Sequence, residues 1–235
     1  EECYILNGNK IFITNAEYAH VYIIFAMTDK SKGNKGISAF IVEKDDPGFS
    51  VGKHELKLGI RGSATCELIM ENCRIPKDRL LGKVGGGFKV AMHTLDGGRI
   101  GIAAQALGIA RGAMDETVKY TKERKQFGRS IAKFQNTQFQ LADLKARIDC
   151  ASLLVRRAAW CKDNGLSYNL EAAEAKLFCA ETAMDMTTKA VQFHGGYGYT
   201  REYPVERMMR DAKITEIYEG TSEVQRMVIA AHLLK

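Results

Sequence analysis

The amino-acid sequence predicts an α+β fold, with a partial antiparallel, barrel-like β-sheet domain followed by an antiparallel four-helix bundle. Two observations indicate this order. Short runs rich in β-branched and aromatic residues, separated by turn residues, fill positions 1–82. From Gly85 onward, apolar residues recur with the helical period instead. We therefore expect a β domain over residues 1–82 and a helical domain over residues 83–235.

The β region opens with a predicted hairpin. Runs 4–6 and 10–14 have strand composition, and Asn7-Gly8 between them is the dipeptide typical of a type I′ turn. Further strands are expected at 20–28, 37–43, 49–54 and 65–73, with a polar loop over 29–36.

The helical region contains four predicted helices. They are expected at 87–122, 138–162, 170–192 and 205–218, the last continuing after Gly220. Ile100, Leu107 and Met114 share one face of the first helix, and neighbouring small residues allow close helix packing. Asn164-Gly165 gives the second helix a C-terminal stop.

A break between two helical segments sets one carboxylate, Glu219, on a turn. Gly220 permits the left-handed backbone that ends the preceding helix, and Ser222 with Gln225 forms a predicted capping box for the next one. A carboxylate on such a turn, with its own N–H outside a regular helix, suits proton abstraction beside a carbonyl. On this pattern alone, a solvated glutamate at a helix end is the commoner explanation.

Three other segments are unusual for their positions. Gly97-Gly98 lies inside a predicted helix, where each glycine costs roughly 1 kcal/mol relative to alanine, so something is expected to need the space. The basic run 122–129 reads either as a solvated helix end or as an anion-binding segment. The glycines of 192–198 allow close approach to a ligand, or simply a tight turn between helices.

Composition excludes several classes. The net charge is +6, with basic and acidic residues interleaved, so no basic stripe for nucleic acid is present. No apolar run of membrane-spanning length occurs, and no histidine or cysteine pair has metal-ligand spacing. We expect free cysteines, no metal site, no nucleic-acid partner and no membrane span.

Three ordered segments together closely resemble the signature of the acyl-CoA dehydrogenases. They are Ile-Tyr-Glu-Gly-Thr-Ser-Glu-Val-Gln at 217–225, Gln-Phe-His-Gly-Gly-Tyr-Gly-Tyr at 192–199 and Tyr-Pro-Val-Glu-Arg at 203–207. Segments 58–63 and 94–103 look most like the short-chain, butyryl-CoA-type branch. The resemblance covers practically the whole chain. It implies FAD-dependent α,β-dehydrogenation of a short-chain acyl-CoA to the trans-2-enoyl-CoA, with Glu219 as base and flavin N5 as hydride acceptor.

The resemblance also implies which residues hold the ligands. FAD would be contacted by Phe12, Ile13, Thr14, Arg124, Gln126, Phe127, Gln135, Gln192, Gly195, Gly196 and Thr221. The acyl-CoA would be contacted by Asp96, Arg99, Tyr218 and Gly220. Branched-chain relatives carry their catalytic glutamate at the position aligned with Gly98, so its absence here leaves Glu219 as the base. His194 is expected to pack in the core.

Partners follow from the same resemblance. An electron-transferring flavoprotein would reoxidise the flavin, and FAD contacts across subunits imply a homotetramer built as a dimer of dimers. The expected compartment is the cytoplasm for a bacterial protein and the mitochondrial matrix for a eukaryotic one. The chain begins Glu1-Glu2-Cys3 and lacks the family's N-terminal helical domain, so we expect it to be a piece of a longer protein.

Three alternatives share this sequence evidence. An acyl-CoA oxidase or an enoyl-CoA reductase working in the reverse direction would use the same base and flavin. A non-enzymatic helical oligomerisation module would keep the bundle without the chemistry.

Overall fold

The computed structural model describes residues 3–235, and the chain divides into two compact units, Glu1–Thr94 and Leu95–Lys235. Each unit has its own buried apolar cluster. The division between them falls within the first long helix. The domain boundary predicted after residue 82 stays a prediction.

The described part of the first unit contains two antiparallel three-stranded sheets, which confirms the predicted antiparallel β fold. The strands are β1 (Cys3–Thr14), β2 (Val21–Met27), β3 (Ile37–Glu43), β4 (Phe49–His54), β5 (Thr65–Pro76) and β6 (Leu80–Leu81). Their orders are β1-β5-β4 and β2-β3-β6. Phe40, Leu68 and Ile75 are buried at the centre, because alternate residues of each strand turn their side chains to one face. The polar segment Lys30–Gly36 forms 3₁₀ turns between β2 and β3.

The hairpin predicted at Asn7-Gly8 is wrong. β1 runs unbroken through these residues and pairs with β5 on both sides of them. The register shifts between Leu6 and Gly8, where β5 carries one extra residue, a β-bulge. Gly8 has φ 129°, and the Asn7 side-chain oxygen accepts a 2.7 Å hydrogen bond from the N–H of Asn72. Asn7-Gly8 therefore lies opposite a β-bulge within one long strand, and the chain does not reverse direction there.

Five α-helices lie in the described chain after the sheets. They are α1 (Gly87–Glu123), α2 (Gln135–Asp163), α3 (Asn169–His194), α4 (Val205–Lys213) and α5 (Ser222–Leu233). A small hairpin, β7 (Lys125–Gln126) with β8 (Arg129–Ser130), joins α1 to α2. Four helices were expected, and the last one is shorter than predicted because it ends in a 3₁₀ turn, Ile214–Glu216.

The core of the second unit is rich in alanine, which allows the helix backbones to approach closely. Ala106 and Ala110 of α1 are fully buried with Leu144 of α2 and Met186 of α3. The small residues read from the sequence of α1 thus pack as expected. All six cysteines lie within residues 3–235, and none forms a disulfide there, as predicted. No helix in this range combines the length and apolar character needed to cross a membrane.

Candidate active site

Glu219 lies on the turn between the 3₁₀ segment after α4 and the start of α5. Its φ is 55°, and Gly220 follows with φ 88°, so two successive residues are left-handed. The glycine in this conformation was expected, whereas the left-handed glutamate was not. A non-glycine residue there costs roughly 1–2 kcal/mol, so surrounding contacts must hold the turn in place.

Two side chains hold the carbonyl groups of this turn. Lys176 of α3 donates from Nζ to the Gly220 carbonyl oxygen at 2.8 Å. Gln225 of α5 donates from Nε2 to the same oxygen at 2.9 Å and to the Glu219 carbonyl oxygen at 3.2 Å. Both carbonyls are therefore turned toward the interior of the helical unit. The sequence analysis missed Lys176, since nothing in its neighbourhood along the chain marks it.

The capping box predicted from Ser222 and Gln225 is wrong. The residue that caps α5 is Thr221, whose side-chain oxygen accepts a 3.4 Å hydrogen bond from the N–H of Val224. The Ser222 hydroxyl is buried and has no hydrogen-bond partner within residues 3–235. Gln225 uses its amide on the turn carbonyls, so it is not available to close a capping box.

The Glu219 carboxylate is half-buried, and within the described residues it makes no hydrogen bond or ion pair. Gly98 of α1 lies against it: a Cβ built on Gly98 would be 2.6 Å from Glu219 Oε2 and 3.1 Å from Cδ. The carboxylate therefore occupies the volume that any side chain at 98 would need. This contact explains why the interior of α1 carries a glycine at that position.

Tyr218 is anchored to α1 by a hydrogen bond from its hydroxyl to the side-chain oxygen of Gln105. Burial raises the pKa of the Tyr218 phenol, so the group stays a donor at neutral pH. Sequence reasoning chose Tyr218 and missed Gln105. The residues on both sides of the Glu219 peptide are thus attached to helices, one through a side chain and the other through its carbonyl.

Asp96 and Arg99 interact with each other. Arg99 is 6% exposed and donates to Asp96 Oδ1 at 2.8 Å, and Asn169 at the start of α3 donates to the same oxygen at 2.6 Å. The pair links α1 to α3. Their contact with an acyl-CoA stays a prediction.

Four residues predicted to contact a cofactor line one open cavity of about 620 Å³. They are Arg124, Gln126, Gly195 and Gly196. The Arg124 guanidinium lies 5.9 Å from the centre of the Tyr197 ring, and no carboxylate in residues 3–235 pairs with it. A Cβ at either glycine would meet no atom within 4 Å, so the backbone there faces open space. An unpaired guanidinium beside exposed backbone fits a phosphate-bearing ligand.

The other predicted cofactor residues of this unit lie outside that cavity lining. Phe127, at the tip of the β7–β8 hairpin, is 91% exposed with φ 50° and touches Phe134 edge-on at 6.3 Å. Gln135 and Gln192 are exposed on the helix surface. An aromatic ring that solvated has a large apolar area left to bury against a ligand or another chain.

In the first unit, Phe12, Ile13 and Thr14 end β1. Phe12 is 66% exposed and has φ 60°, at a second bulge where the register shifts between Lys10 and Ile13. Thr14 is exposed and pairs with Thr65 of β5. The structure thus presents an aromatic ring and a hydroxyl at the surface of this sheet end.

His194 packs in the core, as expected. It is 2% exposed, its Nδ1 lies 2.7 Å from the Ala190 carbonyl oxygen, and its ring stacks on Tyr120 at 4.1 Å. Burial lowers the pKa of the imidazole, which keeps it neutral.

One cluster of ligand-type atoms was not foreseen. Glu17, His54 and Cys66 bring a carboxylate, an imidazole and a thiol within 4.8 Å of one another in the first unit. Residues so far apart along the chain give no spacing signal. The Glu17 carboxylate already hydrogen-bonds His54 at 3.0 Å. The expectation that the protein binds no metal stays a prediction.

Known protein families match both units of the chain. Residues 1–73 match the acyl-CoA dehydrogenase middle domain, and residues 85–234 match the C-terminal domain of the same family. The chain is 61% identical over 232 residues to the short-chain specific acyl-CoA dehydrogenase of Clostridium acetobutylicum. It is 55% identical to the acryloyl-CoA reductase (NADH) of Anaerotignum propionicum. A chain in a structure of the electron transferring flavoprotein of Acidaminococcus fermentans superimposes with a TM-score of 0.98 at 60% identity.

These matches cover nearly all of the chain but only part of each relative. Each of the three alignments covers 99% of this chain. The same alignments cover 61% of the Clostridium dehydrogenase, 59% of the Anaerotignum reductase and 61% of the Acidaminococcus chain. Both matched domain families belong to the same enzymes, and together they account for most of the sequence. The chain therefore belongs to the acyl-CoA dehydrogenase family of FAD-dependent oxidoreductases.

Proposed function

We propose that the protein catalyses the FAD-dependent α,β-dehydrogenation of a short-chain acyl-CoA, with Glu219 as the catalytic base. The observation that carries this proposal is the contact between Glu219 and Gly98. A carboxylate without a hydrogen-bond partner in the described chain lies in space that a glycine leaves open. It is therefore free to take a proton from a ligand.

The turn offers two functional groups to a thioester. The Glu219 carboxylate would remove the α-proton of the acyl chain as general base. The Glu219 N–H has no backbone acceptor within residues 3–235, so it is available to donate to the thioester oxygen. Such a donor stabilises the negative charge that develops on that oxygen as the proton leaves. A bound FAD would supply the acceptor for the β-hydride.

The residues present fit an FAD. Arg124 would hold the pyrophosphate, because a guanidinium can engage two oxygens at once. Gln126, Gly195 and Gly196 would line the same site, supported by the cavity that they share with Arg124. The remaining FAD contacts assigned here are Phe12, Ile13, Thr14, Phe127, Gln135, Gln192 and Thr221. The exposure of Phe127 supports a contact with the cofactor of a second copy of the chain.

The acyl-CoA would lie along the turn. Tyr218 and Gly220 flank the base and would border the thioester. Asp96 and Arg99 would lie further along the pantetheine, with their ion pair fixing that part of α1. The assembly would be a homotetramer, and an electron-transferring flavoprotein would accept the electrons.

The experiment that tests the base is Glu219→Gln in the FAD-loaded protein. The variant is expected to keep its flavin absorbance but to lose the bleaching that butyryl-CoA causes in the absence of oxygen. Glu71→Gln is the matched control, since Glu71 is an exposed carboxylate on β5, in the other unit. The control should bleach as the unmodified protein does. Bleaching retained by Glu219→Gln would overturn the assignment of the base.

A reductase is the second candidate, favoured by the 55% identity to an acryloyl-CoA reductase (NADH). The same residues would then return a proton to the α-carbon of an enoyl-CoA. The rate of butyryl-CoA oxidation with an electron acceptor, compared with the rate of crotonyl-CoA reduction with an electron donor, would show which direction is faster.

A further inference from the structure

A buried lysine lies behind the turn that carries Glu219. Lys176 of α3 has 0% of its surface exposed, although a lysine is seldom fully buried without a specific partner. Its ammonium donates to the Gly220 carbonyl oxygen at 2.8 Å. None of the roles assigned above uses this charge.

Charged groups from four different elements surround the ammonium. Glu219 on the turn, Glu216 on the 3₁₀ segment and Glu223 on α5 favour its charged form, and Arg99 on α1 disfavours it. Burial is the largest influence and lowers the pKa of Lys176 to about 8. The lysine is therefore mostly charged at neutral pH, and it loses the charge in an accessible range.

The hydrogen bond acts on the conformation of the turn. Glu219 and Gly220 are both left-handed, a conformation that is unfavourable for a glutamate, so contacts with the rest of the chain must hold the turn. Lys176 and Gln225 hold the Gly220 carbonyl from two different helices, α3 and α5. A charged donor makes the stronger of these bonds, by roughly twofold over a neutral one.

We infer that Lys176 is a positioning residue for Glu219: its buried ammonium fixes the Gly220 carbonyl, and with it the turn that presents the carboxylate. This inference rests on the proposed role of Glu219 as the base. Lys176 touches neither substrate nor cofactor in this scheme and acts only through the turn.

The test is Lys176→Met, which keeps the volume of the aliphatic stem and removes the donor. In the FAD-loaded protein, the maximal rate of flavin bleaching by butyryl-CoA is expected to fall about tenfold to a hundredfold, the effect of a small misplacement of a catalytic group. FAD content and the butyryl-CoA concentration for half-maximal rate should stay nearly unchanged. Lys189→Met, a partly exposed lysine of the same helix paired with Asp185, is the control and should keep the original rate.

Two readouts distinguish positioning from simple support of the fold. The bleaching rate of the unmodified protein should fall as the pH rises through about 8, where Lys176 loses its charge, and the Lys176→Met profile should lack that transition. In the absence of FAD and substrate, amide hydrogen exchange over residues 217–222 should be faster in Lys176→Met than in Lys189→Met.

Each contrary result is separable. An unchanged bleaching rate in Lys176→Met, while Glu219→Gln abolishes bleaching, overturns the role of the lysine alone. Bleaching retained by Glu219→Gln overturns the proposed base itself. Should Lys176→Met fail to fold, the unmodified protein still decides the matter, since a rate that is flat across pH 8 contradicts the inference.

Discussion

At the scale of the residue, the position of Glu219 depends both on the absence of a side chain at Gly98 and on the hydrogen bond that Lys176 donates to the turn. Glu219 and its turn were predictable from the sequence, because a glutamate followed by glycine between two helical patterns is visible locally. Its contact with Gly98 and its support by Lys176 were not, because these residues lie far away along the chain. A glycine inside a helix indicates that space is needed, but not which atom fills it.

Substituting Gly98 separates activity from stability. In Gly98→Ala the new methyl would lie 2.6 Å from Glu219 Oε2, so the carboxylate must move. We expect bleaching by butyryl-CoA to fall by about tenfold or more. The free energy of unfolding should stay level or rise by up to about 1 kcal/mol, because alanine favours a helix over glycine.

The matched control for this change is Gly101→Ala, one turn further along α1. A Cβ there meets no atom within 4 Å, so the same helix-propensity gain comes without any contact to the base. Urea unfolding of both variants and their bleaching rates give the comparison. Equal activity in the two would contradict the steric explanation.

Lys176 also predicts how stability depends on pH. Its pKa is about 8 in the folded chain and near 10.5 when exposed, so the unfolded state binds more protons between these values. The contribution of Lys176 to the free energy of unfolding therefore rises with pH across this window, by on the order of 3 kcal/mol. Urea titrations from pH 7.5 to 10.5 should show the rise in the original protein, and Lys176→Met should lack that part of it. A pH dependence identical in both would contradict burial of the ammonium.

At the scale of the element, local signals predicted most strands and helices but misread two junctions. β3 and β4 have the predicted bounds, and α1 to α3 differ from the prediction by only a few residues. Asn7-Gly8 was read as a reversal because the dipeptide fits both a tight turn and a bulge, and only the partner strand decides between them. Likewise Ser222 matched a capping pattern, but the chain path places Thr221 at the cap.

The bulge gives an element-scale prediction. Gly8→Ala places a side chain at φ 129°, where L-residues are strained, and should lower the free energy of unfolding by roughly 1–3 kcal/mol. Gly62→Ala is the control, because a Cβ at Gly62 meets nothing within 4 Å and its φ lies outside that region. The control is expected to change stability by less than about 0.5 kcal/mol. Similar losses in the two, measured by urea unfolding, would show that the bulge does not depend on the glycine.

At the scale of the whole molecule, the order of a β region and then a helical region was predictable because hydrophobic periodicity changes once along the chain. The grouping of Arg124 with Gly195 around one cavity was not visible from spacing, since it depends on how α1 and α3 end near each other. The family resemblance assigned both residues to FAD, and the structure places them in the lining of the same cavity.

The cavity lined by Arg124 gives a prediction about FAD binding. Arg124→Met is expected to fold normally and to weaken FAD binding by about tenfold or more, since a charged hydrogen bond to phosphate is lost. Arg156→Met, at an exposed position on α2, should leave FAD binding unchanged. Flavin fluorescence titrations give the affinities.

A cofactor site completed by a second copy of the chain would couple FAD binding to assembly. FAD affinity in the unmodified protein should then depend on protein concentration, because a ligand bound between copies stabilises their association. Sedimentation with and without FAD should show a larger species when the cofactor is present. An affinity independent of concentration would contradict a site shared between copies.

Three residues given functional roles here, Phe12, Phe127 and Glu219, are left-handed although none is glycine or asparagine. Each conformation costs on the order of 1 kcal/mol in the folded chain. A directed-evolution library selected for heat resistance alone, without flavin or acyl-CoA, is therefore expected to accumulate glycine or asparagine at these three positions. Thermostable variants obtained in that way would gain melting temperature by losing the two aromatic rings and the carboxylate to which we assign FAD binding and catalysis.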